Sequence, residues 1–260
     1  MSPDTLSLDG KVAIVTGSGR ETGIGAGIAS ALARNGAWVV INHVSDASAT
    51  RAAAVAKKII DAGGKAVVVQ ADVSTQEGAK GLVQQTLEKF QVQHVDILVN
   101  NAAAGQPEPF LTATSSSIET IFKSVVFAPI YLIQSVIPHM PRGGRIVNTG
   151  SIASKLGFSP VAIYGAAKAA VDALTFSMAM ELGRGYAVTI NTVMPGPVDT
   201  DALPKAVSDR IHSALVPMTK AEERVGTVDD IADAVLLICS EKSRWVTGQV
   251  ISVSGGITGG

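Results

Sequence analysis

Lys11-Val12-Ala13-Ile14-Val15-Thr16-Gly17-Ser18-Gly19-Arg20-Glu21-Thr22-Gly23-Ile24-Gly25 decides the fold of this 260-residue chain. Residues 11–16 are a short, β-branched, apolar run ending in glycines, which reads as a buried strand. Residues 23–35 carry small and apolar side chains at helical spacing and close at Gly36, a C-terminal stop signal. The glycines between them let the backbone turn tightly and approach a pyrophosphate, which then sits at the positive N-terminus of the helix. No Gly-Lys-Ser/Thr is present, so a nucleotide triphosphatase loop is excluded.

The same alternation continues along the chain. Apolar strands are predicted at 38–43, 66–70, 95–100, 145–149, 187–193 and 250–253. Helices are predicted at 47–62, 76–91, 115–139 with Pro129 inside it, from Tyr164 to about Leu182, and at 229–240. Strands that are solid apolar runs, each followed by a helix, indicate a parallel sheet covered on both faces. No linker or repeat divides the chain, so residues 1–260 read as one doubly wound α/β domain. In such sheets ligands bind at the carboxyl ends of the strands. The glycine loop, Asn100-Asn101, Ser151 and Pro195-Gly196 all fall on that rim.

Bulk properties narrow the partners. The chain is 47% hydrophobic and 17% charged, with a formal net charge of −1. That balance, without a Lys/Arg run, gives no electrostatic case for nucleic acid or an anionic membrane. Cys239 is the only cysteine, so no intrachain disulfide forms. The histidines His43, His94, His139 and His212 lack metal-ligand spacing, and no metal is expected. The N-terminus lacks a secretory pattern, and no apolar run reaches about 18 uninterrupted residues. A soluble, cytoplasmic protein is the expectation.

Tyr164-Gly165-Ala166-Ala167-Lys168, with Ser151 upstream, carries the chemistry. Residues four apart share a helical face, so the ammonium can sit beside the phenol. A neighbouring cation favours the phenolate and would draw the phenol toward working pH. A serine hydroxyl nearby could hold a substrate oxygen while the tyrosine moves the proton. Taken alone, Tyr-x-x-x-Lys also arises on ordinary exposed helices.

Together with Thr16-Gly17, Gly23-Ile24-Gly25, Asn100-Asn101-Ala102-Ala103, Ser151 and Pro195-Gly196-Pro197-Val198-Asp199-Thr200, the pair resembles the classical short-chain dehydrogenase/reductase family over essentially the whole chain. The resemblance implies a Rossmann-type domain with a mostly parallel seven-stranded sheet. It implies catalysis by Ser151, Tyr164 and Lys168, with Tyr164 the acid in ketone reduction. Cofactor contacts are expected from Gly17, Ser18, Arg20, Gly23, Ile24, Asn42, His43, Ser45, Asp72, Val73, Asn100, Ala102, Tyr164, Lys168, Pro195, Gly196, Val198 and Thr200. A homotetramer is the family's habit.

Three departures from the family pattern stand out. Five residues separate Gly17 from Gly23 where the family has three, with Glu21-Thr22 as the insertion. Glu21 is expected to point outward and Arg20 toward the cofactor, although a register with Gly19 replacing a family glycine stays open. Ala103 replaces a glycine, a minor change. Val125, in Phe122-Lys123-Ser124-Val125-Val126-Phe127-Ala128-Pro129, stands where many members carry an Asn that bends the helix and holds a relay water. Ser124 would substitute only if the helix were locally distorted. An altered proton relay, a loss of redox activity, or a shifted alignment are the open readings.

The end of the second strand, Ile41-Asn42-His43-Val44-Ser45, has no acid until Asp46, which removes what NAD would need. With Arg20 on the same side, NADPH is the expected cofactor and reduction the expected direction. The leading expectation is an NADPH-dependent reductase of an apolar, aromatic or acyl-chain ketone, similar to 3-oxoacyl-carrier-protein and fungal polyketide or hydroxynaphthalene reductases. The alternatives are a non-redox isomerase, lyase or cyclase, or a cofactor-gated binding protein. Residues 104–110, 152–161 and a lid at 201–218 should bound the substrate, bringing Phe110, Leu156, Phe158, Leu203, Leu215 and Met218 with Lys155, Lys205 and Arg210.

Overall fold

Among the described residues, strands and α-helices follow in the order β1 (Val12–Val15), α1 (Ile24–Arg34), β2 (Trp38–His43), α2 (Ala49–Asp61), β3 (Lys65–Gln70), α3 (Gln76–Phe90), β4 (Ile97–Asn100), α4 (Ser115–Phe122), α5 (Ala128–Val136), β5 (Arg145–Thr149), α6 (Ala162–Tyr186), β6 (Thr189–Pro195), α7 (Lys205–Leu215), α8 (Val228–Cys239) and β7 (Val250–Val253). The computed structural model describes residues 5–105, 108–157 and 159–259. The seven strands form one parallel sheet in the order β3-β2-β1-β4-β5-β6-β7. The order reverses between β1 and β4, which places the switch point beside the glycine loop.

Alternate residues of a strand face opposite sides, and β1 shows the result. Ala13 and Val15 pack with Ile28, Leu32 and Val235 under α1, α2 and α8. Val12 and Ile14 pack with Leu82, Leu132 and Ile146 under α3 and α5. All four β1 residues are fully buried, as a parallel strand covered on both faces requires. Each large side chain so enclosed contributes about 1.5–3 kcal/mol by leaving water.

The predicted 115–139 helix is continuous but not uniform. A π-helical turn, Lys123–Phe127, separates α4 from α5, closed by Ala128 N–H donating to the Lys123 carbonyl. Pro129 explains it: with no N–H, Pro129 cannot complete the ordinary ladder to the Val125 carbonyl. By length and composition this helix could cross a membrane. Here its apolar side chains Ile121, Val125, Leu132, Ile133 and Val136 are buried in the core.

Two differences from the sequence reading have simple causes. α6 runs to Tyr186 rather than about Leu182, because Gly183 and Gly185 lie within its last turns and the left-handed cap falls at Ala187, φ 54°. α7 forms inside the segment read only as a lid; its Lys205–Asp209 pair, 2.9 Å, is an i,i+4 contact that the sequence permits.

Candidate active site

The glycine loop is built on buried polar ties. Ser18 Oγ donates to the Val15 carbonyl at 2.7 Å and accepts from Asn42 N at 3.0 Å. Asn42 Oδ1 accepts from Gly17 N at 3.1 Å, while its Nδ2 reaches the Ala71 carbonyl at 3.1 Å. Both side chains fasten the loop to β2 and β3, at the edge where cofactor contacts are expected. Gly17 has φ +63°, and a Cβ there would lie 2.9 Å from Ala102 Cα, so only glycine fits.

The two-residue lengthening is absorbed by a turn, with Gly23 N donating to the Arg20 carbonyl at 2.9 Å. Glu21 is exposed, as expected. Gly19 is wedged against His43 and Ala52, each 3.0 Å from a Cβ built there. Gly23 caps α1 without a side-chain acceptor for the first N–H groups. A bare helix N-terminus beneath a glycine-lined turn fits a dinucleotide pyrophosphate.

Across the switch point, Thr16 Oγ1 accepts from Asn101 N and Ala102 N, each at 3.0 Å. Asn100 Nδ2 donates to Asn148 Oδ1 at 2.8 Å. Asn148 Nδ2 donates to Thr175 Oγ1 at 2.8 Å, and Thr175 shares a 2.8 Å contact with Thr192. This buried chain ties β4, β5, α6 and β6 together. Asn100 Oδ1 and Thr149 Oγ1 are buried with no protein partner, polar capacity aimed into the same region.

Ser151 opens a 3₁₀ turn, Ile152–Ser154, by accepting from Ala153 N at 3.1 Å. α6 lies directly on that turn. A Cβ at Gly165 would stand 2.5 Å from the Ala153 carbonyl, so glycine beside Tyr164 permits the approach that brings phenol and serine together. Lys168 is buried and donates to the Thr149 carbonyl at 2.5 Å, with its nitrogen 5.6 Å from the centre of the Tyr164 ring.

The electrostatics correct one expectation. The sequence predicts a phenol depressed by Lys168. Instead, burial pushes the Tyr164 phenol up to about 12, against the downward pull of its hydrogen bond with Ser151. Burial also pushes Lys168 down to about 8, with the Asp172 carboxylate acting in the opposite sense. Both groups leave water together, and desolvation penalises phenolate and ammonium alike. At neutral pH Tyr164 therefore holds its proton while Lys168 remains largely cationic.

Val125 is buried with Ile121, Val126, Ala167 and Val171, and Tyr164 packs against this cluster. The helix is distorted as Ser124 would need, yet Ser124 serves another partner. Its Oγ accepts from Ala104 N at 3.0 Å and donates to the Ala104 carbonyl at 3.2 Å. It pins the 102–105 loop to the helix.

The remaining expected contacts are scattered along the rim. His43 Nδ1 is bonded within its own turn, to the Ser45 carbonyl at 3.0 Å and Ser48 Oγ at 3.2 Å. Asp72 Oδ1 accepts from Ser74, and Val73 is buried. Pro195 ends β6, and Gly196 follows it against Ser254; Val198 pairs with Gly226, and Thr200 Oγ1 accepts from Ala202 N at 3.4 Å. Leu215 is buried with Ile152 and Met194 rather than free. Phe158, expected among the substrate contacts, lies outside the described residues, as do residues 106 and 107.

Sequence reasoning missed Asp172, Arg51 and Asp201. Asp172 lies one helical turn beyond Lys168, a legible signal, and accepts from Ser154 Oγ at 2.7 Å. Burial holds its carboxyl above the usual range, with Ser154, Lys155 and Lys168 opposing. A hollow of about 480 Å3 lined by Phe110, Lys155, Leu156 and Val161 adjoins the Ser151 turn. The larger hollow, about 630 Å3, is lined by Asn35, Gly36 and Gly63 at the amino ends of β2 and β3, away from the chemistry.

A family model described as enoyl-(acyl carrier protein) reductase matches residues 17–258. The chain is 39% identical to the short-chain dehydrogenase/reductase FrzI of Cladobotryum sp, over 99% of each chain. It is 35% identical to a blue fluorescent protein from a metagenomic library, solved in complex with NADPH, with a TM-score of 0.88 over 97% of this chain and 100% of that one. The landomycin C-6 ketoreductase LanV, solved with bound NADP and rabelomycin, is 30% identical with a TM-score of 0.85, over 96% of this chain and 97% of the other. A single Rossmann-like domain, a rim of matching motifs and relatives alike over their full lengths place the chain in the short-chain dehydrogenase/reductase family, as an oxidoreductase.

Proposed function

We propose that this protein reduces a ketone to a secondary alcohol with NADPH. The observation that carries the reading is the seating of α6 on the Ser151 turn through Gly165, beside a buried Lys168 tied to Thr149. A bound nicotinamide would supply the hydride to the carbonyl carbon. The Ser151 hydroxyl donates to the substrate oxygen and orients it. The Tyr164 phenol, protonated at neutral pH, gives its proton to the oxygen as negative charge develops there. The Lys168 cation stabilises the phenolate left behind.

Gly17, Gly23 and Ile24 would face the pyrophosphate, Arg20, His43 and Ser45 the adenosine ribose, and Asp72 and Val73 the adenine. Asn100 and Ala102 would line the cofactor from β4; Pro195, Gly196, Val198 and Thr200 would flank the carboxamide. The absence of an acid before Asp46 supports NADPH over NADH. The relatives solved with NADPH or NADP, and LanV's name as a ketoreductase, support the same reading. The apolar residues around the smaller hollow favour an apolar or aromatic ketone, with 201–218 as its lid. A homotetramer in the cytoplasm completes the proposal; exposed Phe176, Met180, Leu237 and Trp245 offer apolar surface for assembly. Val125 alone motivates the non-redox alternative, and the intact Ser151, Tyr164 and Lys168 arrangement gives it no support.

The test is NADPH oxidation, with NADH in parallel, on cyclic and acyclic ketones and an enoyl thioester. Turnover with ketones is expected, and Tyr164→Phe should lower kcat about 10²–10⁴-fold while cofactor binding persists. No NADPH consumption with any ketone would sink the reading, and full activity in Tyr164→Phe would remove the proton donor.

A further inference from the structure

Asp172 stands where three parts of the active site converge. It lies one helical turn beyond Lys168 on α6, so the two side chains share a face. Its Oδ2 accepts from Ser154 Oγ at 2.7 Å, in the 3₁₀ turn that Ser151 opens. Its Oδ1 is buried without a hydrogen-bond partner. That oxygen rests against Gly150, 3.3 Å from a Cβ built there. Gly150 follows Thr149, whose carbonyl receives the Lys168 ammonium.

A lysine withdrawn from water keeps its charge only where its surroundings supply negative potential. On α6 Lys168 meets the Tyr164 phenol and the Asp172 carboxylate, and on β5 the Thr149 carbonyl. Toward the π turn, Val125 packs with Ala167 and Val171 and offers no polar atom. Burial lowers the lysine's proton affinity, and among the described residues Asp172 is the one carboxylate that opposes this. Asp172 is itself penalised by burial, with the Ser154 hydroxyl and the Lys155 and Lys168 ammonium groups favouring its charged form. The Ser154 bond fixes one carboxylate oxygen and leaves the other unpartnered on the side of β5.

We infer that Asp172 is a positioning residue for the reduction: anchored by Ser154, it holds Lys168 cationic and so sets the pH up to which the Tyr164 phenolate is stabilised after proton transfer. It acts through the lysine. The same carboxylate joins the Ser151 turn to the helix that carries Tyr164, so the electrostatic and the geometric parts of the site share one anchor. The inference rests on the reductase reading and adds the residue that sets its alkaline limit.

The test reads the lysine directly. In full-length protein carrying 13C at lysine Cε, the Lys168 resonance, assigned by its loss in Lys168→Met, should titrate near 8. Asp172→Asn retains an acceptor for Ser154 and should lower that midpoint by about one pH unit. Asp172→Glu should restore at least half of the difference. Ser154→Ala, which frees the carboxylate, should shift the midpoint the same way by less, and it carries the test if Asp172→Asn does not fold. With a ketone and saturating NADPH, kcat of Asp172→Asn at pH 8, relative to its own maximum, should be about fivefold below the wild-type ratio. An unchanged lysine midpoint in Asp172→Asn overturns the inference. So does a loss of kcat that is equal at every pH, which marks a structural tether alone. A midpoint that moves while the kcat profile stays in place overturns the role in reduction. A wild type that consumes no NADPH with any ketone sinks the reductase reading instead, and the lysine titration then still decides whether Asp172 holds the charge.

Discussion

Two charged clusters sit on the carboxyl rim of the sheet, and they differ chiefly in access to water. Tyr164 and Lys168 lie against buried Thr149 and Val125, whereas Arg20, Arg51 and Asp201 are all partly exposed. In the first, desolvation moves the phenol and the ammonium far from their ordinary values. In the second, opposite charges 2.8 and 3.5 Å apart meet with solvent screening, and contacts of that kind contribute only about 0–1 kcal/mol. Burial shifts proton affinity, whereas exposure leaves a screened contact of small energy.

The comparison breaks first at Lys168. Lys168→Met should lower kcat about 10²–10³-fold at saturating cofactor, whereas Arg51→Gln, also measured at saturation, should leave kcat within about twofold because its partner is Asp201 rather than Tyr164 or Lys168. Equal losses would mean that the exposed cluster also serves the chemistry.

The pH profile sharpens the contrast next. Reduction needs the cationic Lys168, so the rate should fall as pH rises through about 8, approaching tenfold per pH unit at saturating NADPH. Stability should move the other way. The folded lysine releases its proton near 8 and the unfolded one near 10.5. Between those values the unfolded chain binds more protons, so stability rises with pH. Denaturant melts of wild type and Lys168→Met across pH 7.5–10 check this, and identical slopes would refute it.

Val125→Asn comes third, placing an amide in an apolar cluster beside Tyr164. A cost of about 1–3 kcal/mol is expected, read as a lower Tm, with no gain in kcat. A large rate gain would show that the native proton route lacks a member. The smallest effect belongs to Asp201→Asn, which should change stability by less than about 1 kcal/mol and by less still in high salt.

The architecture was legible because a doubly wound fold repeats one local pattern. Solid apolar strands, glycine stops and the Gly17–Gly25 loop each carry their meaning within a few residues. The Ser151, Tyr164 and Lys168 set was legible for the same reason. What escaped depended on contacts between remote segments. Nothing near Arg51 announces that Asp201 will reach it, and nothing near Ser18 or Asn42 shows that they will bond each other. The phenol's proton affinity escaped too, because spacing shows which charges are neighbours but not how much water they lose. Ser124 lies between these cases: its neighbour Val125 was singled out, yet its bond to Ala104 depends on a loop twenty residues earlier.

The π turn at Lys123–Phe127 separates two properties that a single asparagine would combine. Its bend is set by Pro129 and by the Ala128-to-Lys123 bond, so it belongs to the main chain and does not depend on the side chain at 125. Position 125 is therefore an adjustable coordinate beside the phenol: its size and polarity can be varied while the helix keeps its path. An engineer could tune the surroundings of Tyr164 from that one position, using a fixed frame.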